Sequence, residues 1–155
     1  MKNILLALFL TATFSQVSAQ SIQIRDAFRE MPDSLMPYLT KNNRLDFIDF
    51  LDSNMKAEVK NKFGGTSEML SVGTDSIALR MNPSLRVDML AMDSVLVMVE
   101  TFTVDSIYGE SSVHYYSVDW QPIAQPALSP AQEQRINRLK LQNIVKRDDD
   151  LLNKR

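Results

Sequence analysis

His114 is the only histidine of the chain, so Ser-His-Asp catalysis would have to pass through it. No serine sits in a G-x-S-x-G elbow, and His114 between Val113 and Tyr115 reads as a surface or cross-strand residue of a strand. A single imidazole also leaves a histidine-based transition-metal centre without companions. Asp46, Asp49 and Asp52, at i, i+3 and i+6, could converge on Mg²⁺ or Ca²⁺ from one helix face. They lie opposite a rich apolar stripe, however, and read as the solvated side of that helix. Asp148 to Asp150 reads as a solvated run, and neither stretch has the alternating acids and central glycine of a calcium loop. Gly64-Gly65-Thr66-Ser67 superficially resembles a phosphate cradle. It follows a predicted helix instead of opening one, lacks the G-x-x-x-x-G-K-[ST] spacing, and reads as a helix C-cap. Beyond Met1 there are eight methionines, which in an exported protein could hold Cu(I) through thioethers. They are scattered at strand and helix spacing, with Met89 and Met92 the only close pair in a strand, and read as core filling. A glycosidase needs two carboxylates in a cleft, and spacing singles out no pair. The absence of cysteine excludes thiolate nucleophiles and Cys-based metal sites, and no cofactor is expected.

The elements that would position these residues begin after a leader. Lys2, the apolar run Ile4 to Phe14 and the small-residue ending Val17-Ser18-Ala19 have the form of a signal peptide cut between Ala19 and Gln20. The run is too short to span a bilayer of about 30 Å. The mature chain is then expected in the periplasm or outside the cell, with residues 20–128 as one α+β domain and 129–155 as a C-terminal helical segment or tail. Without disulfides it must rest on its apolar core.

Ile24, Ala27, Phe28 and Met31 form one stripe of a short helix closed by Pro32. A second short turn follows Asp33-Ser34. A longer helix, capped near Asn42-Asn43, buries Leu45, Ile48, Leu51 and Met55, is widened by Phe47 and Phe50, and continues through Val59 and Phe63 to Gly64-Gly65. From Thr66 the period changes to two. Ile77 to Met81 and Leu85 to Met89 alternate, Val95 to Val99 is apolar throughout as in a central strand, and Ser112 to Trp120 is aromatic and β-branched. Short connections make the strands antiparallel neighbours. Five Asp-Ser dipeptides, at Asp33, Asp52, Asp75, Asp93 and Asp105, mark turns and caps. After Pro122, Pro126 and Pro130, Ser129-Pro130-Ala131-Gln132 has the form of a capping box before a last helix through Ile136, Leu139 and Ile144.

Charge is segmented along this plan. Gly64 to Trp120 is net −6 and Ser129 to Arg155 is net +3. A body this acidic repels a phosphate backbone, so nucleic acid is not an expected partner. The basic segment, through Arg135, Arg138 and Lys140, is expected either to lie near the acidic meander or to dock on a partner, with Ile136, Leu139 or Ile144 supplying an apolar contact. No second apolar run approaches the length of a membrane span.

The helical third, Met31-Pro32-Asp33-Ser34-Leu35-Met36-Pro37-Tyr38-Leu39-Thr40, then Asn43-Arg44-Leu45-Asp46-Phe47-Ile48-Asp49-Phe50, then Met55 to Gly65, resembles a family of exported Bacteroidales proteins known as domain of unknown function 3256. The likeness runs through the meander to Tyr116-Ser117-Val118-Asp119-Trp120. It implies a Gram-negative envelope protein and no particular activity. The expected architecture is α+β, with N-terminal helices packed on an antiparallel meander of four or five strands, and a C-terminal helix. The expected role is a non-catalytic binding or accessory protein of the envelope whose partner is an envelope protein or polymer. The alternative is a small carboxylate-dependent hydrolase acting on an envelope polymer. Two carboxylates across one pocket would favour the enzyme, and an exposed apolar patch or open sheet edge would favour binding.

Overall fold

A computed structural model describes residues 22–104 and 108–140. The expected leader at 1–19, and Asp105-Ser106, Ile144 and Asp148 to Asp150, lie outside the described residues. Helix α1 (Ile24–Glu30) buries Ile24 and Phe28, and Met31 follows them into the core. Proline at 32 supplies no N–H and ends the helix, and a single 3₁₀ turn over Asp33–Leu35 reverses the chain.

Helix α2 (Lys41–Asp52) starts two residues before the expected cap. Thr40 is the N-cap: its hydroxyl accepts from the Asn43 N–H at 3.1 Å while Asn43 Oδ1 accepts from the Thr40 N–H at 3.0 Å. The helix also stops before Val59 and Phe63. Asn54 takes φ 53°, its N–H donates to Leu51 O and the Met55 N–H donates to Phe50 O, which together make a Schellman end with asparagine in the left-handed position. Val59 and Phe63 therefore belong to a strand and a turn, and Met55 and Phe63 are 54% and 67% exposed.

The remainder is one antiparallel sheet in sequential order: β1 (Glu58–Lys60), β2 (Thr66–Val72), β3 (Ser76–Asn82), β4 (Leu85–Met92), β5 (Val95–Val104), β6 (Tyr108–Ser117) and β7 (Pro122–Ile123). Seven strands replace the expected four or five. The three additions are a three-residue and a two-residue strand, too short to show a period, and β2, whose alternation is broken by a register shift between Met69 and Ser71.

Strand alternation divides the core in two. On one face, the helix face, Ile77, Leu79, Met81, Val87, Met89, Leu96, Met98 and Tyr116 pack with Phe28, Met31, Leu39, Phe47 and Ile48 of the N-terminal segment. On the opposite face, Leu90, Met92, Val97 and Val99 pack with Ile136. Val95 to Val99 thus serves both cores, and Leu96, Val97, Met98 and Val99 are all buried. Residues 130–140, helix α3, cover the opposite face. The expected capping box is present, with Ser129 N–H donating to Gln132 Oε1 at 2.8 Å and Gln132 N–H to Ser129 Oγ at 3.3 Å. All eight methionines from Met31 to Met98 except Met55 are buried in these cores.

Candidate functional site

Helices α1 and α2 cover only part of the helix face. The register places Leu85 beside Phe102, Val87 beside Glu100, Glu100 beside Ser112, Phe102 beside Glu110 and Met98 beside His114. Because facing residues share a side of the sheet, these side chains form one strip across β4, β5 and β6 beyond the helices. Leu85, Glu100, Phe102, Glu110 and Ser112 line a solvent-open hollow of about 310 Å³. Phe102 is 51% exposed, and Leu85 packs against the main core beneath it.

The polar groups of this strip are linked. His114 Nε2 lies 3.4 Å from Glu100 Oε2 and 3.3 Å from Ser112 Oγ. Serine and acid thus converge on the same ring nitrogen. A nucleophilic triad instead needs the acid on one nitrogen and the hydroxyl on the other, so this arrangement cannot relay a serine proton. Deeper along the same face, burial and then the negative charge of Glu100 raise the Tyr116 phenol above its usual value. Trp120, at φ 61°, donates its indole N–H to Ala27 O at 2.9 Å and lies tilted against Tyr116 with ring centroids 5.5 Å apart, closing the covered end of the strip. The expected strand through Trp120 ends at Ser117, and Val118 lies exposed in the turn that follows.

The other singled-out residues fall elsewhere. Asp46 and Asp49 are exposed on α2, and Asp52 accepts an ion pair from Arg25 at 2.7 Å. Among the described residues no group of three or more histidines and carboxylates has metal-site geometry. Gly64-Gly65 is not a helix cap but the β1–β2 turn, with Gly64 at φ 80°. Asn61 organises it: its Oδ1 accepts from the Phe63 and Gly65 N–H groups and its Nδ2 donates to Ser67 Oγ and Met81 O. Those side-chain bonds leave no free cradle for an anion.

Of the basic trio, Arg135 is bound within the chain. It forms a bidentate pair with Asp75 at 2.6 and 2.8 Å, which lowers the Asp75 carboxyl and raises the guanidinium. Arg138 is exposed, and Lys140 lines a small hollow with Val113, Tyr115, Leu128 and Ile136. The helix-face strip was not singled out from the sequence. Glu100, Phe102 and Glu110 become neighbours only through the β5–β6 register, although the apolar-to-polar change after Val99 marks where β5 leaves the covered core.

A domain of an uncharacterized protein from Porphyromonas gingivalis W83 has a similar fold, with a TM-score of 0.54 and 22% sequence identity. The match covers 66% of this chain and 57% of that chain, little more than half its length. No curated protein matches the sequence. No helix among the described residues is long and apolar enough to cross a membrane. The family described as Protein of unknown function (DUF3256) matches residues 15–152, and the chain belongs to it.

Proposed function

We propose that the protein is an exported, non-catalytic binding or accessory protein of the Gram-negative envelope, working in the periplasm or outside the cell after cleavage between Ala19 and Gln20. The open strip on β4 to β6 is its binding surface. The observation that carries this reading is the half-exposed Phe102 ring in a solvent-open hollow that it shares with Leu85, Glu100, Glu110 and Ser112. An aromatic side chain held out on a rigid sheet makes contact area available without ordering cost. Export is supported by the form of residues 1–19, and the Gram-negative setting by the Porphyromonas gingivalis source of the structural neighbour.

The hydrolase alternative draws on Glu100 and Glu110 lining one hollow. Burial argues against it: Glu110 is exposed and the Glu100 carboxylate is shared with His114 on an open face, whereas acid catalysis calls for a site that excludes water. A photo-crosslinking amino acid at position 102, compared with one at exposed Met55, tests the binding reading in cells that normally make the protein. A partner captured at 102 and not at 55 supports it. Cleavage of peptidoglycan or an envelope glycan by the purified protein, abolished in Glu100→Gln or Glu110→Gln, replaces it with the enzyme.

A further inference from the structure

Resting on the reading of the strip as a binding surface, we infer that its occupant is an extended peptide segment of a partner protein carrying alternate Lys or Arg side chains, added to the free edge of β6 as a strand. The first support is uncompensated charge. Gly64 to Trp120 holds only two basic residues, and both are engaged on the opposite face: Arg80 with Glu68 at 2.8 Å and Arg86, bidentate, with Asp88 at 2.8 and 2.9 Å. The strip on the helix face keeps Glu100, which lies 3.4 Å from the half-exposed His114 imidazole and pairs with no Lys or Arg among the described residues, and Glu110, which has no ion pair among them. Phe102 lies directly across from Glu110, so an ammonium or guanidinium reaching that carboxylate also passes over an exposed ring.

The second support is the backbone. Ser117 N–H donates to Gln121 O, away from β5. Backbone groups alternate sides along a strand, so odd-numbered residues of β6 point outward. The two-residue β7 meets only Tyr115 and Tyr116, with Pro122 opposite Tyr116, where no outward donor is required. Gly109 and Ser111 therefore turn N–H and C=O groups toward an edge that no described strand covers, the arrangement that accepts an added strand. On a strand placed there, every second side chain lies on the same face as Glu110 and Ser112 and beside the hollow. Acidic segments are repelled by the same two carboxylates.

A fluorescein-labelled Val-Lys-Val-Lys-Val-Lys peptide, its Glu-for-Lys isomer and a version N-methylated at alternate amides discriminate by anisotropy with the full chain. The expected result is binding of the Lys peptide alone, weakening as salt shortens the screening length from about 10 Å at 0.1 M. N-methylation, Glu110→Lys and Phe102→Ser should each weaken it by about tenfold, with melting temperatures unchanged because both side chains are exposed. Binding of the Glu isomer with equal strength, indifference to N-methylation, or no binding overturns the inference. So does a dimer in sedimentation that Ser111→Pro dissociates, since a second copy then holds the edge. If position 102 still captures a partner in cells while the Lys peptide does not bind, only the cationic strand falls. If neither is observed, the binding reading falls with it.

Discussion

At the scale of single residues, two buried polar side chains hold the N-terminal half together. Arg44 is 1% exposed on α2, donating to Met31 O at 2.5 Å and to Asp33 Oδ1 at 2.8 Å, and so ties the end of α1 and the 3₁₀ turn to α2. Its Nε has no partner among the described residues, so part of its polarity is uncompensated there. Arg44→Ala leaves a cavity and strands the Met31 carbonyl, and should cost about 2–4 kcal/mol in urea unfolding. Arg44→Met keeps the volume and should cost clearly less, and equal losses would show that the cavity term is small. Asn61 makes four side-chain hydrogen bonds within the β1–β2 turn and to β3. Asn61→Ala should lower stability by about 2–3 kcal/mol, with amide exchange rising first at Phe63 and Gly65.

At the scale of elements, β5 and α3 depend on one another. Val97 is buried on the opposite face between Leu90 and Tyr115 in a core closed by Ile136, itself 3% exposed. Val97→Asp puts an unpaired carboxylate there at a cost of several kcal/mol, against a total stability of roughly 5–15 kcal/mol, and should leave no cooperative melt at 37 °C. Ending the chain at residue 128 uncovers Leu90, Met92, Val97 and Val99, and should lower the melting temperature and increase binding of hydrophobic dyes. The Arg135–Asp75 pair adds a smaller, pH-dependent part. Arg135 lowers the Asp75 carboxyl, so folding favours its charged form. That contribution is complete above the ordinary carboxyl value of 3.8 and fades as pH falls through the lower folded value. Both groups are more than a third exposed, so its size is at most about 1 kcal/mol. Asp75→Asn should thus be less stable than wild type at pH 6, by a margin that shrinks as pH falls through the lowered folded value of Asp75.

At the scale of the whole molecule, one sheet separates two surfaces of different use. The opposite face is covered in part, over Leu90, Met92, Val97 and Val99, by helix α3 of its own chain. The N-terminal helices close the helix face over β1 to β3 and over part of β4, β5 and β6, and its uncovered remainder carries Phe102 and two carboxylates. On the proposed export, that remainder faces the space outside the cytoplasm. Intact-mass measurement of protein from the envelope fraction should give a chain beginning at Gln20, and retention of residues 1–19 would remove the export reading.

The α+β class, the change of period at Thr66, the doubly buried run at Val95 to Val99 and the Ser129 capping box were legible from residue order alone. Each depends on contacts within a few positions or on a periodicity the local backbone imposes. Cysteine chemistry and a histidine cluster were excluded by counts for the same reason. Helix α2 ending at Asn54 was a local signal overlooked, because Val59 and Phe63 continue a helical spacing by chance while belonging to β1 and its turn. What only tertiary structure decided is pairing across distance. The partition of alternate β5 residues between two cores, Arg135 on Asp75, Trp120 on Ala27, and Glu100, Phe102, Glu110 and His114 in one strip all follow from strand register and helix coverage. Register is set by the summed burial of both faces, a property of the assembled sheet that no window of neighbouring residues contains.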